Sequence, residues 1–318
     1  MAPHDERQKS ADGPLIIWRF LDGKPGHEAQ TLGLIEALKR RIEVELFSLP
    51  ALSKWAALRY GSIGRNSGLD SLPAPGLIVG AGHATHLSIL AARRRCGGRA
   101  IVLMKPSLPT SLFDLCLIPE HDRPKLADNV IETLGVLNPV LASAEADVKK
   151  GLFLIGGPSE HFGWDSAALI ESLHAIVMRS PEIEWILTSS RRTPEAFWGE
   201  LESINEPNLK MIPYAETDAG WVAESLDQSK WVWVTEDSVS MVYEALSAGA
   251  RVGLLPVPAK GKTSRVQVSI DSLREKGWIV RYPDMLTGES EFGAPILREA
   301  DRCAEIILKR YQLLDGEG

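Results

Sequence analysis

Cysteine is scarce in this chain. Cys96, Cys116 and Cys303 are odd in number and far apart. They form neither a disulfide framework nor the paired spacing of a zinc motif, and the usage fits a reducing compartment. Long apolar runs are missing too. No stretch reaches the roughly 18 residues that a membrane-spanning helix needs. Positive charge is in deficit, with 35 Lys and Arg against 42 Asp and Glu and a net charge of −7. That sign argues against a general nucleic-acid binder, which needs a basic field. There are no repeats and no low-complexity tracts. The opening MAPHDERQKSADG lacks the apolar core of a secretory signal and the Arg-rich, acid-poor character of a transit peptide. Residues 1–14 read as a disordered tail, and the expected location is cytoplasmic.

What is present is ordinary globular material. Apolar residues make up 44% and charged residues 24% of 318 positions, so two domains are expected rather than one oversized core. Nine Trp is a high count. Several fall in strand-like segments, where burial accounts for them.

Apolar runs bounded by Gly, Pro or Asp alternate with longer helical patterns, the signature of βαβ units and parallel sheets. In the first half the spacing predicts strands at Leu15–Phe20, Val44–Ser48, Leu77–Val79, Ala100–Leu103 and Leu115–Ile118. Helices are predicted over Ala29–Arg41 and Thr85–Arg95. The rhythm lapses over residues 138–150, which read as a linker between domains at 15–137 and 151–296. The second series predicts strands at Gly151–Ile155, Glu184–Thr188, Lys210–Ile212, Trp231–Thr235, Arg251–Leu255 and Trp278–Val280. Its helices are expected near Ser166–Arg179, Pro194–Glu202, Ala219–Leu226, Ser238–Ala248 and Gln267–Lys276. A last helix is expected over Leu297–Leu314.

Glycine-rich loops follow several strands. In LDGKPGHEAQ, Gly23 and Gly26 permit a tight turn and close backbone approach. This puts Lys24 and His27 at the carboxyl edge of the first strand, where open α/β sheets bind ligands. His27 is the candidate acid–base group, since imidazole titrates nearest neutrality. In LIVGAGHATH, Gly80 and Gly82 begin a dinucleotide fingerprint. It lacks a third Gly and an acid some 20 residues on, so NAD is excluded. His83 and His86 have no third ligand, and no metal is expected. Gly82 and His83 read as a cleft-facing loop. Lys105 ends another strand and either meets an anion or is a solvated loop residue.

The second half carries more. Gly156, Gly157 and Ser159 directly follow the first strand of that domain, the position of a phosphate-wrapping loop. TSSRRTP gathers Ser190, Arg191 and Arg192. Arginine suits phosphate through its fork of donors, and one of the two is expected to touch a ligand. Thr193-Pro194 also fits an ordinary helix start. WVWVTEDSVSMVYEALSAGARVGLLPVP, residues 231–258, reads as strand, polar turn, amphipathic helix, glycine stop and strand. Its helix N-terminus offers unpaired amides to a pyrophosphate. Asp237 and Ser238 stand at its start, with Ser240 and Glu244 off the apolar stripe. Glu236 and Asp237 would repel phosphate unless compensated by Arg191, Arg192, Lys260, Lys262 or Arg265. Gly261-Lys262-Thr263 ends like a P-loop, but Pro256 stands where its first Gly belongs, so ATP is excluded. Residues 49–65 mix Trp55, Leu58 and Tyr60 with Lys54, Arg59 and Arg65. They form either an ordinary packed helix or a basic segment that lies on a bilayer.

DGKPGHEAQ, GAGHATH, TSSRRTP and TEDSVSMVYEA, in that order, resemble the mitochondrial-fission Elm-like family, over about residues 15–310. Bacterial members also carry the label predicted nucleoside-diphosphate-sugar epimerase. The family is similar to GT-B proteins. The resemblance therefore implies an α/β, GT-B-like chain of two Rossmann-like domains with parallel sheets facing an interdomain cleft, the final helix crossing back to the first domain. Glu244 looks like the ribose-binding Glu of the glycosyltransferase that adds N-acetylglucosamine to the peptidoglycan lipid precursor, and Gln267 resembles a Gln of that enzyme. Asp237, Ser238, Glu244 and Ala245 also match the helix of non-hydrolysing sugar-nucleotide 2-epimerases. Val239 and Ser240 replace two glycines of that motif.

The expectation is a glycosyltransferase with a nucleotide-diphosphate sugar as substrate and no cofactor. The acceptor is not named by the sequence, and a lipid-linked or membrane-surface molecule at the inner membrane face is one class. A sugar-nucleotide epimerase and a non-catalytic binding module are the alternatives.

Overall fold

The computed structural model describes residues 13–62, 67–144, 146–201, 204–218, 220–261, 265–287, 292–293 and 296–313. Nearly all of the expected tail, with Arg65, Glu145, Lys262 and Thr263, lies outside them, as does the side chain of Arg265. The chain divides into two compact units, residues 1–139 with 298–318, and residues 140–297.

The N-terminal unit is built on six strands, β1 (Leu15–Leu21), β2 (Val44–Pro50), β3 (Leu77–Ala81), β4 (Arg99–Leu103), β5 (Leu115–Pro119) and β6 (Val130–Thr133). They pair in parallel in the order β2-β1-β3-β4-β5-β6. The helices are α1 (Pro25–Lys39), α2 (Lys54–Ser62), α3 (Ser67–Asp70) and α4 (His86–Cys96). All five residues of β3 and of β5 are buried, as expected of strands covered on both faces. One face packs Ile17, Val79 and Ile101 against Leu34 and Leu38 of α1. The other packs Trp18, Ile78 and Val102 against Tyr60 of α2 and Ile89 of α4. β6 was not apparent from the sequence, because its four residues are mostly half-exposed.

The C-terminal unit has β7 (Asp147–Leu154), β8 (Glu184–Thr188), β9 (Leu209–Ile212), β10 (Ser229–Thr235), β11 (Arg251–Leu255) and β12 (Ile279–Arg281). Their order is β12-β11-β10-β7-β8-β9, again all parallel. Between them run α5 (Ser166–Arg179), α6 (Glu195–Leu201), α7 (Trp221–Gln228), α8 (Val239–Ser247), α9 (Arg265–Glu275) and α10 (Tyr282–Thr287). β7 starts four residues before the expected Gly151. The polar Asp147–Lys150 half of the strand conceals it in the sequence, so the stretch read as linker in part belongs to the sheet. α11 (Glu299–Arg310) sits in the N-terminal unit. Its Cys303, Ala304, Ile307 and Leu308 join the α1 face of that core, and Arg40 and Arg41 of α1 pair with its Asp301 and Glu305.

Both sheets reverse direction of growth once, between β1 and β3 in the first and between β7 and β10 in the second. Outside the carboxyl ends of strands at such a switch point, the loops diverge and leave a crevice. The loops of Lys24 and Gly82 follow β1 and β3, and those of Gly157 and Asp237 follow β7 and β10.

Candidate functional site

At the first switch point, β1 ends in Leu21 and the chain turns at Gly23 (φ 78°) into α1. Pro25 begins the helix, where its missing N–H costs nothing. The turn brings His27 Nδ1 to 2.8 Å from Asp22 Oδ2, with the Asp22 side chain 1% exposed and the His27 ring 19%. Asp22 Oδ1 accepts from the Lys24 amide. A buried carboxylate facing Nδ1 favours the tautomer with its proton there, which leaves Nε2 as the acceptor nitrogen. Gly82, at the end of β3, has φ 80° and faces the pair so closely that a Cβ would overlap both the His27 ring and Asp22. The loop read as cleft-facing is thus a seat for this dyad. Asp22 was not singled out in the sequence, although an acid five residues before a histidine across a glycine turn was the available signal.

The side chains of the other expected residues of this unit do not join the dyad. Lys24 and Gly26 are exposed. Lys105 Nζ donates to the Asp122 carbonyl at 2.9 Å, so its charge serves the turn after β5. His83 is exposed while His86 is buried beside Ser107 and Phe113. Burial holds the His86 pKa below its usual value. The two rings do not share a face, and no group of three metal-binding side chains occurs among the described residues. Burial pushes the Cys116 and Cys303 thiols up to about 12, which removes both as nucleophiles at neutral pH.

At the second switch point the arrangement corrects the sequence reading. Gly156 and Gly157 do not offer their amides outward. The Gly156 amide donates to Thr235 Oγ1 at 2.8 Å and the Gly157 amide to Asp237 Oδ2 at 3.1 Å. A Cβ at Gly156 would overlap the Asp237 carboxylate, and one at Gly157 the Arg192 carbonyl. The glycines make room for neighbours. Arg192 completes the knot, donating to Asp237 Oδ2 at 2.6 Å and to the Gly157 carbonyl at 2.6 Å. Ser159 caps its own turn, its Oγ accepting from the amides of His161 and Phe162. Ser190 accepts from the Arg192 amide, and Thr193 binds back to the carbonyls of Ile155 and Gly156. Five expected phosphate ligands, Gly156, Gly157, Ser159, Ser190 and Arg192, are therefore held chiefly by the protein itself.

The problem of two acids beside an anion site resolves the same way. Asp237 has Arg192, and Glu236 has Arg281 at 2.6 Å. Burial still outweighs Arg281 and holds the Glu236 pKa above the ordinary carboxyl value. Arg281 and Thr235 were not foreseen, since nothing in the local pattern pairs them with the turn.

Three features stay available. Ser238 stands at the N-cap of α8 without a side-chain cap bond, so the first-turn amides of the helix are open to an anion. Arg191 is exposed, lies 5.7 Å from the Tyr214 ring, and has no ion pair among the described residues. Glu244, two turns into α8, has no hydrogen-bond or charge partner among the described residues, and burial alone pushes its carboxyl up to about 7. Ser240 is exposed near the helix start. Gln267 lies on α9, which packs on α8, and its amide reaches Asp271.

The sequence profile described as Mitochondrial fission ELM1 matches residues 25–311. The chain belongs to the mitochondrial fission ELM1 family. A relative, the uncharacterized protein RP120 of Rickettsia prowazekii (strain Madrid E), is 24% identical over 346 residues, spanning 92% of this chain and 97% of that protein. Among solved structures, a putative UDP-N-acetylglucosamine 2-epimerase from Listeria monocytogenes superposes with a TM-score of 0.60 at 13% identity, covering 95% of this chain and 98% of the other. MurG from Acinetobacter baumannii gives 0.51 at 13% identity, covering 93% and 100%. At such identities the likeness concerns the fold, which is GT-B-like with two Rossmann-like units.

Proposed function

We propose that this ELM1-family chain binds a nucleoside-diphosphate sugar in its C-terminal unit and transfers the sugar to a hydroxyl acceptor. The observation that carries the reading is Glu244. An unpaired, largely buried carboxyl is costly, and this one stands two turns into a helix that begins at the sheet's switch point with uncapped amides. A diphosphate at the α8 start and a ribose diol on Glu244 fit that spacing, the two hydroxyls donating to the carboxylate. UDP-sugar enzymes among the structures of like fold support the ligand class.

In the proposed reaction the acceptor oxygen attacks the anomeric carbon as the bond to the diphosphate breaks. A base must take the hydroxyl proton, and His27 Nε2 of the N-terminal unit is the candidate. Charge on the leaving diphosphate is met by the α8 amides and Arg191, and the Arg192–Asp237 knot keeps the turn in shape. Positive charge comes from the protein, so no metal is invoked. Calorimetry with UDP, GDP, CMP and ADP sugars tests the reading. One should bind, and Glu244→Ala should weaken it more than tenfold. A folded protein that binds none of them would leave a non-catalytic module as the better account.

A further inference from the structure

We propose that α2 and the adjoining edge of α4 form a docking face for an anionic phospholipid surface. α2 buries Ala57 and Tyr60 and turns Trp55 outward, 84% exposed, with Leu58 56% exposed. Next to them is an apolar hollow of ≈ 280 Å³ lined by Leu58, Gly61, Leu87 and Leu90. Gly61 sets the depth of this seam, because it lies against Ala91 of α4. Single exposed apolar residues need no explanation, but a contiguous apolar patch with a polar rim does.

The rim decides the occupant. Lys54, Arg59 and Arg94 are exposed and have neither an ion pair nor a hydrogen bond from their side chains among the described residues. By contrast, Arg93 is tied to Asp114, and Arg95 to Asp70 and the Tyr60 ring. Three cations without a partner among the described residues, Lys54 and Arg59 on the helix that carries the exposed indole and Arg94 in the lining of the hollow, stand on one face of a chain whose net charge is −7. Tryptophan favours the headgroup level of a bilayer, and cations beside it favour anionic lipid. A nine-residue helix cannot span a membrane, and no described helix is long and apolar enough to do so. The face would lie on the surface.

The chain enters α2 from the same sheet edge as the dyad, since the ends of β1 and β2 pair at Leu21 and Pro50. The Ala51 amide donates to the Leu21 carbonyl at 2.8 Å, so the approach to α2 runs beside the end of β1, one residue from Asp22. A lipid-borne acceptor would approach His27 from that edge; this clause alone rests on the transferase reading.

Vesicle sedimentation of the full chain tests the docking. Vesicles of phosphatidylglycerol and phosphatidylcholine should retain the protein at low salt and release it at high salt, and pure phosphatidylcholine should retain little. Lys54→Ser, Arg59→Ser and Arg94→Ser should each weaken binding about fivefold, and Trp55→Ala about tenfold. Melting temperature checks that each variant is folded. Brominated lipid should quench wild-type emission more than that of Trp55→Phe. Equal retention by neutral and anionic vesicles, or an unchanged triple variant, would overturn the proposal. So would a wild-type dimer that Trp55→Ala dissociates without any vesicle binding, since a second copy would then cover the face. Calorimetry with nucleotide sugar on the same variants should be unchanged, which keeps a failed docking distinct from a failed transferase.

Discussion

Arg192 spans from the loop after β8 to Asp237 after β10, closing 2.6 Å on Oδ2 while the Gly157 amide takes the same oxygen. One carboxylate thus ties three loops of the second switch point together. The guanidinium is 42% exposed and the carboxylate 1%, so solvent screens one side of the pair only.

Gly157→Ala should therefore act through packing. Its Cβ would meet the Arg192 backbone, and overpacking of this kind costs about 1–3 kcal/mol. Urea denaturation measures it. Asp237→Asn should cost less, about 1 kcal/mol after discounting for the exposed arginine, yet loosen the turn enough to weaken nucleotide-sugar binding.

Glu244 links stability to pH. Its folded pKa, about 7, lies above the ordinary 4.5. Between those values the folded protein keeps a proton that the unfolded chain has lost, so stability is greatest below the window and falls as pH rises through it. Glu244→Gln removes that loss. We expect it to stabilise the protein at pH 8 by about 2 kcal/mol, allowing for partial exposure, and to change little at pH 4. A gain of equal size at both pH values would mean that burial is not the cause. The same substitution should weaken nucleotide-sugar binding, a cost of function against stability.

His27→Ala should leave nucleotide-sugar binding intact while transfer falls about 10²–10⁴-fold. Asp22→Asn frees the other tautomer and should lower turnover about tenfold or more. Chelator should leave wild-type turnover unchanged. Incubation without acceptor separates transfer from epimerisation: isomerised sugar would favour the second reaction.

Arg281→Ala strips the buried Glu236 of its partner. Breaking such a pair costs about 3 kcal/mol. The deficit should be larger at pH 8 than at pH 5, because protonation relieves the stranded carboxyl. Thermal melts at the two pH values measure the difference.

The strands and helices were legible because each is bounded by Gly, Pro or a polar turn and carries the right apolar period. Glu184–Thr188 and Arg251–Leu255 match to the residue. β6 and α10 were missed, being short and mostly without a buried face of their own. The glycine loops were misread for a physical reason. A glycine that exposes its amide to a phosphate and a glycine that yields space to a neighbour look identical in sequence. Gly156 and Gly157 are of the second kind, and only Asp237 and Arg192, distant in the chain, reveal it. Asp22 was visible but unweighed, since its value depends on a turn that brings it under an imidazole.

α11 carries a consequence for biogenesis. Cys303, Ala304, Ile307 and Leu308 complete the first core, yet a ribosome makes them after all of residues 140–297. The N-terminal unit must wait with this part of its core incomplete while the later unit emerges and is free to fold, the reverse of the usual order. A chain released at residue 297 would leave that apolar face open to chaperones and proteases.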